Sequence, residues 1–385
     1  MNKIHPYDTI DPNQLRRPEN LKWTAYPNDV LPLWVADMDF PIASEIREAL
    51  KKRMDIGLGY MPMGGDPKLI DALIWRWAQW GLELTPKHIH LLPGVVPGLF
   101  SGIKAFGQGH DVITHTPIYP PFLLAAKNHG GRCIENALQV SEQGYAIDWE
   151  MFESQITPET RLMLLCNPHN PTGRVWTYSE LEKMTEIALR HNLIVLSDDL
   201  HADLDYTGQY RPIASLGKEI SQRTVTLIGP CKTYNMAGLG IGAAVSENTA
   251  LIEQIRQTGH GWVAHPTALA QTAWLTALEK GQNWLSETLD YLKGNRTFLQ
   301  EFLTENIPEI RFFPPNGTYL AWLDFRSIWN TDVHSELLQH ARVALSEGRT
   351  FGQQGAGFAR LNFATSKPIL REALERIQHA VKTYS

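Results

Sequence analysis

Short apolar runs alternating with helical patterns, each run ending in a polar or glycine-bearing segment, constrain this chain more than any other feature. Residues 111–115, 161–166, 193–197, 224–228 and 241–245 are apolar without strict alternation, the pattern of strands buried on both faces, and most follow a helical segment. Asp66-Pro67 places a capping Asp and a first-turn Pro ahead of a stripe at Leu69, Ile70, Leu73, Ile74 and Trp77, which predicts a helix whose stripe is plain core packing. Thr177-x-x-Glu180 is a capping box ahead of Leu181, Met184, Ile187 and Ala188, and it sets a helix between two of the strands. Such alternation predicts an α/β fold with a parallel sheet covered by helices.

The pattern changes after about residue 285. A long amphipathic helix over 284–303, a turn at Pro314-Pro315-Asn316-Gly317 and a short strand over 319–323 predict a second, smaller α+β unit. A length of 385 residues also exceeds what one core usually covers. The division expected is an N-terminal segment, 1–45, packing on the small unit or a partner subunit, a large unit, 46–285, and a small C-terminal unit, 286–385.

Charge and cysteine content narrow the partners. A formal net charge of -6, from 35 basic and 41 acidic residues spread along the chain, leaves no basic patch for nucleic acid and no polybasic membrane segment. Cys133, Cys166 and Cys231 are too scattered for a disulfide framework or a metal motif. The first 17 residues lack an apolar leader, and no run is long enough to span a bilayer. A cytoplasmic protein acting on a small molecule is expected, without metal.

In sheets of this kind ligands sit beyond the carboxyl ends of the strands. Four segments occupy such positions: Pro117-Ile118-Tyr119-Pro120-Pro121-Phe122, Asn167-Pro168-His169-Asn170-Pro171-Thr172-Gly173, Ser197-Asp198-Asp199-Leu200-His201 and Gly229-Pro230-Cys231-Lys232-Thr233-Tyr234-Asn235. Together they are expected to surround one crevice.

In this order the four segments resemble fold-type I pyridoxal 5'-phosphate enzymes of the aminotransferase class I/II family. Leu33-Trp34-Val35-Ala36-Asp37-Met38-Asp39-Phe40, Asn170-Pro171-Thr172-Gly173-Arg174-Val175-Trp176 and the run from Phe351-Gly352 to Arg360-Leu361-Asn362 are similar to the MalY/PatB-like branch of cystathionine β-lyases, over about residues 7 to 380. The resemblance implies a large domain with a mostly parallel seven-stranded sheet between helices, plus the smaller α+β domain. It implies pyridoxal 5'-phosphate held as a Schiff base by Lys232, a nucleophile that later shuttles the substrate Cα proton. A surface lysine is the alternative. Asp198 would keep the pyridine nitrogen protonated, against a plain helix N-cap. Asn170 would bond the ring hydroxyl and line the substrate site; His201 stands near the same oxygen, against a satisfied core histidine. Tyr119 would stack on the ring and border the substrate, against an ordinary turn aromatic. Val95 and Val96, after Pro93-Gly94, would give amides to the phosphate at a helix start. Tyr60 would reach the phosphate of a neighbouring subunit in a homodimer with shared sites, against a buried turn tyrosine. Arg360 would grip the substrate α-carboxylate, against a surface salt bridge.

The sequence departs from the family pattern in places. Gly229 and Cys231 stand where relatives carry phosphate-binding serines, Asp199 stands for the usual Glu, and Ala364-Thr365-Ser366-Lys367 replaces a Gly-Cys-Pro-Arg run near the carboxylate grip. Gly238-x-Gly240-x-Gly242 has the wrong spacing for a dinucleotide site, so close backbone packing is the reading of those glycines. No H-E-x-x-H and no G-x-S-x-G occurs. The activity implied is β-elimination from an L-cysteine S-conjugate to a thiol, pyruvate and ammonia. Transamination and a fold-retaining regulatory role in binding a transcription factor are the alternatives.

Overall fold

The computed structural model describes residues 5–329 and 332–384; residues 1–4 of the N-terminal segment and 330, 331 and 385 of the C-terminal unit lie outside the described residues. Seven strands form one sheet in the order Ile89–Leu92, Gly242–Val245, Thr224–Ile228, Ile194–Asp198, Thr160–Cys166, Asp111–Thr116, Cys133–Ala137. Neighbours run parallel except Gly242–Val245, which is antiparallel to both strands beside it. Every residue of Thr224–Ile228 and Gly242–Val245 is buried, which is why these runs are apolar without alternation. The five expected strands are present with their ends moved by about a residue. Two more escape the run pattern. Ile89–Leu92 is only four residues long, and in Cys133–Ala137, at the sheet edge, Glu135 and Asn136 interrupt the apolar sequence.

Local chemistry starts the helices where expected. Asp66 Oδ1 accepts from the Lys68 amide at 2.9 Å, and the helix Pro67–Ala78 buries Leu69, Ile70, Leu73 and Trp77. Thr177 N donates to Glu180 Oε2 at 2.9 Å and Glu180 N to Thr177 Oγ1 at 3.2 Å, closing the box that opens Tyr178–Arg190. The helix after Gly94 begins at Val95 and runs Val95–Gly107. Pro97 falls in its first turn, where no amide hydrogen is needed.

A second, antiparallel sheet has the order Arg311–Phe312, Leu320–Asp324, Phe358–Asn362, Ser346–Glu347. The helices Gln282–Asn306 and Lys367–Tyr384 cover it, burying Leu292, Leu299, Leu370 and Leu374 in its core. The N-terminal segment packs on this unit: Leu31–Pro32 pairs in parallel with Val343–Ala344, and Trp23, Leu33, Met38 and Phe40 enter the same core. Trp322, Phe351 and Phe358 instead join Ile113, Met163 and Trp176 beside the larger sheet, locking the two sheets together. Among the described residues no helix is long and apolar enough to cross a membrane.

One ion pair fixes the N-terminal segment. Lys22 Nζ lies 2.9 Å from Asp39 Oδ2 with both side chains 1% exposed, and it also donates to the Asp37 carbonyl at 3.0 Å. Trp23 Nε1 donates to the other Asp39 oxygen at 2.7 Å. Removing one member of such a pair leaves a bare charge in the core, at a cost of about 3 to 5 kcal/mol. Lys22→Met is therefore expected to lower the unfolding free energy measured by urea denaturation by that order and Lys22→Met with Asp39→Leu by less; equal losses would contradict the pairing.

Candidate active site

The loop after Thr224–Ile228 turns sharply, with Tyr234 N donating to Pro230 O at 2.9 Å and Met236 N to Cys231 O at 3.1 Å. Asn235 adopts the left-handed region at φ 53° and reaches the N-terminal segment, where its Nδ2 donates to Met38 O at 3.1 Å and Phe40 O at 2.7 Å. This turn carries Lys232 inward. Its Nζ donates to Ala36 O at 2.6 Å. Burial pulls the amine below the usual lysine range, Asp37 and Cys231 act against that, and Arg360 adds to it. The side chain is part-buried rather than turned to solvent.

Asp198 ends Ile194–Asp198 and is 7% exposed. Its Oδ1 accepts from Leu200 N at 3.1 Å, an Asx turn into residues 200–203 that start no helix, so the N-cap alternative is excluded. Burial raises its carboxyl to about 6, against the pull of the Leu200 amide and Lys232. Asp199 takes separate partners, the Ser197 hydroxyl and the Tyr210 hydroxyl, the latter at 2.5 Å, and burial lifts it to about 7.

Arg360 lies in Phe358–Asn362 with its guanidinium 4.9 Å from the Phe351 ring centroid. Nη1 donates to Asn170 Oδ1 at 3.0 Å; Nη2 donates to Trp34 O and Ser346 Oγ, each at 3.1 Å. Among the described residues it has no carboxylate partner and its Nε no acceptor, which removes the surface-salt-bridge alternative. Burial brings it down to about 10, and Tyr119 and Tyr319 resist. His201 is buried edge-on to Tyr319, at 6.1 Å and 73°, with Nδ1 unpartnered among the described residues. Burial, then Lys232 and Arg360, bring it to about 3, so the ring is neutral at physiological pH. It is not a satisfied core histidine. Tyr119 precedes Pro120–His129; burial raises its hydroxyl first, then Arg360 lowers it and Asp198 raises it, placing it within the field of both.

Val95 and Val96 open Val95–Gly107 after Gly94, whose φ of 140° needs glycine. A Cβ on Gly242 would lie 3.2 Å from Gly94 C and from Val95 Cγ2, so close backbone packing holds there, while Gly238 faces open space. Tyr60 stands apart from the crevice. It is fully exposed beside exposed Ile56, Leu58 and Met63, not a buried turn tyrosine.

Lys232, Asp198, Asn170, His201, Tyr119 and Arg360 thus share one crevice. The motif reading missed what holds them: the carbonyls of Trp34 and Ala36, the Ser346 hydroxyl, the Phe351 ring and the Tyr319 hydroxyl, which donates to Ala36 O at 3.1 Å. The Leu33 to Phe40 motif held part of that signal, but its contribution is backbone, which residue type does not reveal. The run Ala364 to Lys367 also takes structural partners. Thr365 O accepts from Asn295 Nδ2 at 2.8 Å and Lys367 N donates to the Tyr291 hydroxyl at 2.8 Å. An amine whose pKa burial lowers, a buried acid and a guanidinium whose Nε has no acceptor among the described residues can together attach a carbonyl compound and orient a carboxylate.

The family model for aminotransferase class I and II matches residues 28–377. The chain is 35% identical over 364 residues to cystathionine β-lyase PatB of Bacillus subtilis, covering 92% of this chain and 93% of that one. Its structure is similar to that of cystalysin from Treponema denticola, which contains a pyridoxal 5'-phosphate cofactor, with a TM-score of 0.92 and 30% identity, covering 99% of this chain and 100% of the other. An aspartate aminotransferase of Bacillus sp. strain YM-2 is 29% identical over 367 residues, 92% of each chain.

Gly229 sits where the backbone leaves little room for a side chain. A Cβ there would lie 2.8 Å from the Ile241 carbonyl oxygen, which already accepts from Cys231 Sγ at 3.2 Å. Gly229→Ser is expected to destabilise the fold by about 1 to 3 kcal/mol in thermal or urea denaturation. An unchanged or raised midpoint would show that the turn has room for the hydroxyl.

Proposed function

The chain belongs to the aminotransferase class I and II family, and from that membership and the geometry of the crevice we propose that it is a pyridoxal 5'-phosphate enzyme cleaving the Cβ–S bond of an L-cysteine S-conjugate such as cystathionine. The products are a thiol, pyruvate and ammonia. The observation that carries the reading is the Lys232 amine, drawn toward its neutral form by burial and flanked by Asp198 and Arg360.

The residues fit the cofactor. His201 Nδ1 and Arg360 Nε are buried polar atoms without partners among the described residues, and the glycine turn at Gly94 leads into a helix whose first amides have no intrahelical acceptor. When bound, pyridoxal 5'-phosphate supplies an electron-accepting ring for the pair left at the substrate Cα. Lys232 holds the cofactor and moves the Cα proton. Asp198 faces the ring nitrogen as an ionised carboxylate once a cation is beside it, since an opposite charge reverses the upward push of burial. Asn170 and His201 would serve the ring hydroxyl, Tyr119 would lie against the ring and border the substrate, and Val95 and Val96 would give amides to the phosphate. Arg360 orients the α-carboxylate. Three of its donor contacts are spent on Asn170, Trp34 and Ser346, which fix the plane of the fork and leave Nε for the substrate.

We assign the second half of the site to a homodimer. Tyr60 and the exposed Ile56, Leu58 and Met63 on one loop support this, as an apolar group turned to solvent marks an interaction surface; there Tyr60 reaches the phosphate of the facing subunit. The same reading takes residues 46–285 as the cofactor unit and 286–385 as the small unit, with 1–45 packed on the latter. A cytoplasmic setting accords with free thiols at Cys133, Cys166 and Cys231.

Transamination is the second reading, favoured by the aspartate aminotransferase likeness and by a lysine, acid and arginine that serve either outcome. Incubation of the cofactor-loaded protein with L-cystathionine is expected to yield thiol and pyruvate in equal amounts without added keto acid. Keto-acid-dependent amino transfer without thiol would support transamination instead.

A further inference from the structure

A guanidinium has five N–H groups to give, and the way Arg360 distributes them limits how it can hold a carboxylate. Nη1 gives one hydrogen to Asn170 Oδ1 at 3.0 Å, while Nη2 gives both of its own, to Trp34 O and to Ser346 Oγ, each at 3.1 Å. A carboxylate docks on the fork by two parallel bonds, either side-on through Nε and Nη2 or end-on through Nη1 and Nη2. Both modes draw on Nη2. With its two hydrogens committed, the fork in this structure offers single donors but no parallel pair.

A two-bond grip therefore requires one Nη2 contact to be given up, and the two acceptors differ in how readily they leave. Trp34 O belongs to a main chain held on both sides: Leu33 N donates to Ala344 O at 2.9 Å, and Val35 O accepts from Asn362 Nδ2 at 2.7 Å and from Asp37 N at 2.8 Å. Ser346 Oγ, in contrast, leaves by one side-chain torsion. Its strand, Ser346–Glu347, pairs with Phe358–Asn362 so that Ser346 lies directly opposite Arg360, which sets hydroxyl and guanidinium on one face of the small sheet. The hydroxyl donates its own hydrogen to Trp34 O at 2.6 Å, so only its lone pairs face Nη2. It is a neutral acceptor, and a carboxylate is the stronger one for a guanidinium.

We propose that Ser346 holds the place of a substrate carboxylate oxygen on Arg360 Nη2 and yields it when an amino acid binds, so that its hydroxyl sets the affinity of the site for α-carboxylates. This rests on the reading of Arg360 as the carboxylate grip. In the free protein the hydroxyl keeps a buried donor partnered and the fork in plane. In the bound protein the carboxylate takes that donor over. The contact thus stabilises the free state alone and weakens binding by about the net strength of one hydrogen bond. Removing the hydroxyl tightens binding, the opposite of what losing a contact that supports the bound fork would do.

The test titrates the cofactor-loaded protein, native, Ser346→Ala and Ser346→Thr, with L-alanine and with ethylamine, and follows the visible band of the cofactor to obtain each Kd. L-Alanine carries an α-carboxylate and no leaving group at Cβ; ethylamine is the same amine without the carboxylate. Ser346→Ala is expected to bind L-alanine about three- to tenfold more tightly than the native protein and to bind ethylamine as the native protein does. Ser346→Thr, which keeps the hydroxyl, is expected to match the native protein with both. Weaker or equal binding of L-alanine by Ser346→Ala overturns the proposal, because the hydroxyl then belongs to the bound grip or takes no part in it. Equal tightening of both ligands overturns it as well. A native protein that binds L-alanine no better than ethylamine sinks the Arg360 reading itself, a different result from a native preference for the carboxylate that Ser346→Ala leaves unchanged.

Discussion

The carbonyl of Ala36 takes two donors, the Lys232 amine and the Tyr319 hydroxyl, and through it the N-terminal segment joins the lysine loop of the larger sheet to the smaller sheet. The rest of the site depends on that junction. Trp34, two residues before, helps hold Arg360, and Asn235, three residues after the lysine, holds Met38 and Phe40. The Lys22–Asp39 pair anchors the far end of the same segment in the core. Because these are main-chain carbonyls bound by buried side chains, their geometry is held by the whole fold, and little reorganisation is left for the moment of binding.

Burial works against charge at every functional group here. It lowers Lys232, brings His201 to about 3 and Arg360 to about 10, and raises Asp198 to about 6. A site with four groups pushed toward neutrality stores unfavourable solvation, and ligands of complementary charge offset it. In the proposed function a substrate carboxylate would do so for Arg360, and a cationic ring nitrogen would do so for Asp198. Recognition of a zwitterionic amino acid bound to a cationic ring follows from desolvation as much as from direct contact.

Much of this was legible in the sequence, for reasons that differ by element. Apolar runs marked five strands because a doubly covered sheet buries both faces, whereas Cys133–Ala137 at the edge and the four-residue Ile89–Leu92 gave too little pattern. Caps at Asp66 and Thr177 showed because capping is local chemistry between side chain and nearby amide. Lys232, Asp198, Asn170 and Arg360 were legible as motif positions, and the structure gathers them. Tyr319 and the Ala36 carbonyl were not, since Tyr319 meets Ala36 across 283 residues of sequence and Ala36 acts through backbone alone, and the contacts of Ser346 and Phe351 with Arg360 depend on how the small sheet and its loop fold. Gly229 read as a departure from the family's serine, and the crowding of a Cβ there by the Ile241 carbonyl is a contact no local pattern contains.

Borohydride reduction of the protein loaded with pyridoxal 5'-phosphate, followed by mass mapping of its peptides, tests the central claim most directly. The account expects one reduced cofactor adduct per chain, on the peptide containing Lys232. An adduct on another lysine, or none on a protein that has been given the cofactor, would contradict it.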